Sequence, residues 1–90
     1  EALMVDCAAA CEVWEVTDQV FASLNATFPS IDFHALAADM RERVATHGVR
    51  RSAEMREAAE MLAAAGLHPG VAQAVADAQL RGARRKEGTR

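Results

Sequence analysis

The stretch FHALAADMRERVATHGVRRSAEMREAAEMLAAA, residues 33–65, decides the fold. Its apolar or small residues fall at Phe33, Ala37, Met40, Val44, Gly48, Met55, Ala58 and Leu62, with Arg51 in the same series. Every step is three or four residues, the period of one face of an α-helix. A helix that stopped at Gly48 would restart the register, and the register does not restart. An interior glycine costs a helix only about 1 kcal/mol relative to alanine, which packing can outweigh. The spacing therefore predicts one long helix from Phe33 to about Ala65, with a kink at Gly48 allowed. Two helices, the second capped by Ser52, are the alternative.

The signals on either side agree with a long helix. Asp32 is a good N-cap, and Ile31 and Leu36 stand at the positions of a hydrophobic staple. Gly66 suits the residue just past the helix end, with Leu67 folding back onto it. His68-Pro69-Gly70 reads as a turn, with Pro69 placed to open a last helix. That helix carries Val71, Ala74, Val75, Ala78 and Leu80 and is expected to give way to a tail at Gly82. Before the long helix, Leu3, Cys7, Ala10, Cys11 and Trp14 form a helical stripe. Thr17 and Asp18 then offer an N-cap for a short helix bearing Val20, Phe21 and Leu24, and the stretch from Asn25 to Ser30 is a loop. The fold class is all-α: a compact bundle of four or five helices around one long central helix. Residues 1–80 form the domain and residues 81–90 a basic tail expected to be disordered.

Composition narrows the function. Ninety residues support one modest core. Residues 81–90 hold five of the ten Lys/Arg against the single acid Glu87, a net +4, which leaves residues 1–80 at −7. No aromatic residue interleaves with those arginines, so there is no stacking platform for bases, and nucleic acid is a poor partner. Cys7 and Cys11 are four apart on a helix. Their Cβ atoms are then about 5–6 Å apart, wider than the roughly 3.5–4.5 Å of a disulfide. Reduced thiols fit a cytoplasmic protein, and His34, His47 and His68 show no ligand spacing to them. No apolar run is long enough for a membrane span, and there is no signal peptide. The chain opens at Glu1 already in helical pattern, as if cut from something longer.

No phosphate-cradling glycine turn, nucleophile elbow or metal box is present. No catalytic, cofactor-binding or metal-ligating residue is assigned. The one dense polar cluster lies on the long helix: His47, Arg50, Arg51, Glu54, Arg56 and Glu57. Arg50 and Glu54 are i,i+4 partners, and Arg51 and Glu54 are i,i+3 partners, pairs worth a few tenths of a kcal/mol each. Arg51 differs because it lies on the apolar stripe, where an unpaired charge is costly. It must be paired internally, meet a partner, or face an anionic ligand, which a guanidinium fork suits. His47, Arg50, Arg51 and Glu54 are the substrate or interface candidates.

The same stretch carries a family likeness. His47-x-x-Arg50-Arg51-x-x-Glu54-Met55-x-Glu57, then Leu62 and Gly66-Leu67-x-Pro69, resembles the C-terminal helical domain of NAD-binding phosphogluconate-dehydrogenase-like proteins, in the β-hydroxyacid dehydrogenase group. Residues 2–7, Ala22-Ser23-Leu24 and Phe28-Pro29-x-Ile31-Asp32-Phe33 fit the same register, while Glu15 stands where such sequences usually carry glycine. The resemblance implies that an N-terminal Rossmann domain of the same protein binds NAD or NADP through its glycine-rich turn. The helical domain would close the substrate cleft and build a homodimer. The resemblance places the group's catalytic lysine early in the helix entering this domain, just before Glu1, and the only lysine here is Lys86. The expectation is a substrate-cleft and dimerisation domain of an NAD(P)-dependent oxidoreductase acting on a small hydroxy acid, inactive as this chain alone and holding no cofactor itself. The alternative is a stand-alone helical interaction module with a basic tail. Self-association has separate support: Leu3, Met4, Trp14, Met61 and Leu67 are too many large apolar groups for one layer of helices to hide.

Overall fold

The computed structural model describes residues 1–88, with side chains through Arg84. Among them the chain forms four helices and no strand: α1 (Ala2–Val13), α2 (Thr17–Thr27), α3 (Phe33–Ala64) and α4 (Gly70–Gly88). The count is four, and α3 is a single helix through Gly48. Asp32 caps it as its sequence position predicts, its Oδ1 accepting from the Ala35 N–H at 3.1 Å. Ser52 caps nothing, because it is buried inside the helix.

Two kinds of packing hold the bundle. At one end, large side chains make the core: Phe21 and Phe33 pack with Ala8 and Ala37, and Met4, Val20, Leu24 and Leu36 close over them. At the other, α4 runs back along α3 in the most extensive helix contact of the molecule, and the seam is built from small residues. Val44, Gly48, Ser52 and Ala59 of α3 are buried, as are Ala72, Ala76, Gln79 and Ala83 of α4. A Cβ on Gly48 would fall under 3.0 Å from the Gln79 carbonyl oxygen, and one on Gly82 would strike the Val44 side chain. Glycine is thus what lets the two backbones approach. This explains why α4 does not end at Leu80: Gly82 is a weak helix former, but its place against fully buried Val44 holds it in the helix. Residues 81–88 are helical, Ala83 is buried, and Arg81 Nη2 donates to Asp6 Oδ2 at 2.9 Å. Thr89 and Arg90, the end of the expected tail, lie outside the described residues.

The buried faces of α1 and α4 overlap only in part with those the spacing picks out, sharing Cys11 and Ala78. α1 buries Ala2, Val5, Ala8 and Cys11, and leaves Leu3 and Trp14 exposed. Its sequence is apolar nearly all round, so several stripes fit the helical period equally well. In α4, Val71 is 81% exposed while Ala72 and Ala76 are buried. Close approach at the seam selects by size there, not by hydrophobicity. The loop is also shorter than expected, since α2 includes Asn25 and runs to Thr27. Asn25 Oδ1 accepts from the Phe33 N–H at 3.3 Å, tying the end of α2 to the start of α3. Thr17 and Asp18 lie in the first turn of α2, and Val16 holds the cap position without a side-chain bond. Pro69 stands one residue before α4, where His68 Nδ1 accepts from the Gly70 N–H at 3.0 Å.

The same C-terminal motif ends α1 and α3. After α3, the Leu67 N–H reaches the Leu62 carbonyl at 2.9 Å and the Gly66 N–H the Ala63 carbonyl at 3.0 Å, with Gly66 at φ 77°. After α1, the Val16 N–H reaches Cys11 at 2.9 Å and the Glu15 N–H reaches Glu12 at 3.2 Å, with Glu15 at φ 56°. Both are Schellman caps, but the first places a glycine in the left-handed region and the second a glutamate. An L-residue with a Cβ costs about 1–2 kcal/mol there. Glu15→Gly is therefore expected to stabilise the domain by about 1 kcal/mol, raising its melting midpoint by about 4–8 °C. A midpoint unchanged or lowered would show that Glu15 is not held left-handed.

Candidate functional site

The four residues singled out from the sequence share one flank of α3, because positions 47, 50, 51 and 54 are spaced at i, i+3, i+4 and i+7. His47, Arg50 and Glu54 are exposed and Arg51 is half-buried. Arg50 Nη1 donates to Glu54 Oε1 at 3.0 Å, an exposed i,i+4 pair. Arg51 does not share that acid. Its Nη1 pairs with Glu1 Oε1, on the residue that leads into α1. The Glu1 side chain is only 17% exposed and also lies 3.7 Å from Arg43 Nη1. Arg43 in turn holds Asp39 through Nε at 3.1 Å.

Glu1 and Arg43 are the members that the sequence reading missed. Arg43 could have been found, since it stands four residues before His47 on the same flank. Glu1 carries no such signal, because it arrives from the far end of the chain. The flank thus holds three guanidinium groups and one imidazole against the carboxylates of Asp39, Glu1 and Glu54. A carboxylate or phosphate approaching Arg51 must exchange with Glu1, and one approaching Arg50 must exchange with Glu54. Anion recognition by bidentate Arg contacts is the chemistry this surface can perform.

A second polar group lies between α1, α2 and α3, around a pocket of about 200 Å³ lined by Ala8, Phe21, His34, Ala37 and Arg41 among others. Arg41 Nη2 donates to Glu12 Oε1 at 2.8 Å. The His34 ring meets Phe21 edge-on at 4.8 Å, with its Nε2 3.9 Å from Asp18 Oδ1. These contacts fasten α1 and α2 to α3. Cys7 and Cys11 are free thiols. Burial pushes the Cys11 thiol up, and the neighbouring Cys7 adds in the same direction, so neither geometry nor charge prepares a nucleophile there.

Among the described residues no group of His, Cys, Asp and Glu could hold a metal ion, and no helix is long and apolar enough to cross a membrane. The glycines do not suit a dinucleotide either. Gly48 and Gly82 are packed into the α3–α4 seam, Gly66 and Gly70 bound the turn between those helices, and Gly88 ends α4. None sits at a strand-to-helix turn that could receive a pyrophosphate.

No curated protein and no solved structure matches the chain. A family model does match, over residues 13–81, from the last residue of α1 through Arg81 of α4. It is described as a domain of unknown function, DUF1932, and is the C-terminal helical domain found in 6-phosphogluconate/3-hydroxyisobutyrate dehydrogenase-like proteins. The match takes in all of α2 and α3 and every member of the candidate flank except Glu1, and the chain belongs to that family.

Proposed function

We propose that this domain forms the substrate-cleft wall of an NAD(P)-dependent oxidoreductase acting on a small hydroxy acid, with His47, Arg50, Arg51 and Glu54 on the side that meets the substrate or a neighbouring subunit. The family match over residues 13–81 carries the reading. The guanidinium-rich flank supports it, since a hydroxy acid presents a carboxylate that an Arg fork can hold. In this reading the dinucleotide sits in an N-terminal Rossmann domain of the same cytoplasmic protein. There it supplies the hydride chemistry, and residues of this chain bind and orient the acid. Arg51 is occupied by Glu1 and serves to set the start of α1 against α3. Arg50, in an exposed pair, is the group free to exchange partners.

The test uses the full-length protein in a screen of hydroxy acids with NAD and NADP. Arg50→Ala should raise KM for the preferred acid by about tenfold with a smaller change in kcat, the signature of lost ground-state binding. Unchanged KM and kcat would remove the flank from the substrate site. The same reading includes a two-fold dimer, supported by the large apolar groups left in solvent: Leu3, Trp14, Met61, Leu67 and Val71. Light scattering of the chain at micromolar concentration should give a mass about twice 9.7 kDa, and the monomer mass would refute the dimer.

A further inference from the structure

A different surface draws attention by its charge. On the outer side of the α3–α4 seam, Arg56, Arg81 and Arg84 line one hollow of about 340 Å³ with Asp77 and Leu80. Three guanidinium groups there face a single lining carboxylate. Arg56 Nη2 holds Asp77 Oδ1 at 3.0 Å, and Arg81 is drawn to Asp6 at 2.9 Å. All four of those side chains are about half exposed, so both pairs can exchange with an incoming anion at little cost. Arg84 has no ion-pair or hydrogen-bond partner among the described residues. The sequence continues with Arg85 and Lys86, within a ten-residue end that carries a net +4.

We propose that this hollow docks an acidic segment of a protein partner, with Arg84 as its first contact and Leu80 as an apolar seat. The proposal does not depend on the dehydrogenase reading, because none of these residues belongs to the His47–Glu54 flank. Single exposed ion pairs contribute at most about 1 kcal/mol each. A lone small anion would therefore bind weakly, and useful affinity needs several carboxylates on one chain. A polypeptide fits better than a nucleic acid for two reasons. None of the residues that line the hollow is aromatic, so they offer a base no aromatic ring to stack on. Leu80 also gives an aliphatic side chain a contact that a phosphodiester backbone cannot use.

The experiment is fluorescence anisotropy with the full chain and a labelled peptide of alternating Glu and Leu, compared with a labelled single-stranded oligonucleotide of similar length. Saturable peptide binding that weakens as salt rises is expected. Arg84→Gln should weaken it about threefold and Arg81→Gln with Arg84→Gln about tenfold. Arg84→Gln breaks no ion pair or hydrogen bond among the described residues, so its circular dichroism and melting midpoint should match the parent and separate lost binding from lost fold. Three results would overturn the proposal: no saturable peptide binding, binding unchanged in both variants, or an oligonucleotide bound as tightly as the peptide.

Discussion

Gly48→Ala is expected to lower the melting midpoint of the domain by about 10 °C. The added Cβ would stand under 3.0 Å from the Gln79 carbonyl oxygen and 3.1 Å from the Ala83 Cβ. The first of these neighbours is backbone, so it cannot turn aside as a side chain would. Forcing a methyl group into packed space costs about 1–3 kcal/mol, and a rigid neighbour puts this site at the upper end. Alanine's better helix propensity returns about 1 kcal/mol, leaving a net loss of about 2 kcal/mol. That is a large share of the stability of a small domain. Gly82→Ala should cost less, since its Cβ meets the Val44 side chain, which is deeply buried but not backbone. Thermal and urea unfolding followed by circular dichroism would rank the two. A Gly48→Ala protein at least as stable as the parent would mean that the helices do not approach so closely.

Arg51→Ala is expected to destabilise by about 2 kcal/mol. Removing one member of a fully buried ion pair costs about 3–5 kcal/mol. The Arg51 side chain is 30% exposed and Glu1 keeps Arg43 nearby, so water and the second arginine temper the loss. A double-mutant cycle with Glu1→Gln isolates the pair, and a coupling of about 1–2 kcal/mol is expected. Additive losses would show that Arg51 acts through packing of its stem alone. Arg50→Ala serves as the contrast: its pair with Glu54 is exposed on both sides, and the stability change should stay within about 0.5 kcal/mol.

The features legible in the sequence were those with a local cause. Asp32 announces the start of α3 because capping involves residues three apart. Gly66 announces its end because left-handed backbone favours glycine. The length of α3 followed from a register unbroken over eight steps. What remained hidden depended on distant partners. Glu15 ends α1 in the same geometry as Gly66, yet the residue itself gives no sign of it, and only the family likeness, in which glycine is usual there, marks the position. The seam residues Ala72, Ala76 and Ala83 are buried because α3 comes close, and alanine alone marks no face. Arg51 was correctly marked as a charge in need of a partner. The choice between Glu54 and an acid elsewhere could not be made along the helix, and the fold supplied Glu1.

The α3–α4 pairing joins segments separated only by residues 65–69. The ties that hold α1 are of another order: Asp6 to Arg81 spans 75 positions, and Glu1 to Arg51 more than half the chain. Closing a loop loses more chain entropy as the loop grows, though only logarithmically. The helical hairpin therefore has the low contact order that goes with early formation, and α1 is expected to dock onto a surface the hairpin has already made. Run in reverse, release of α1 is expected to be an early opening of the native molecule, freeing Glu1 from Arg51 and Asp6 from Arg81 in one motion while the glycine seam stays shut.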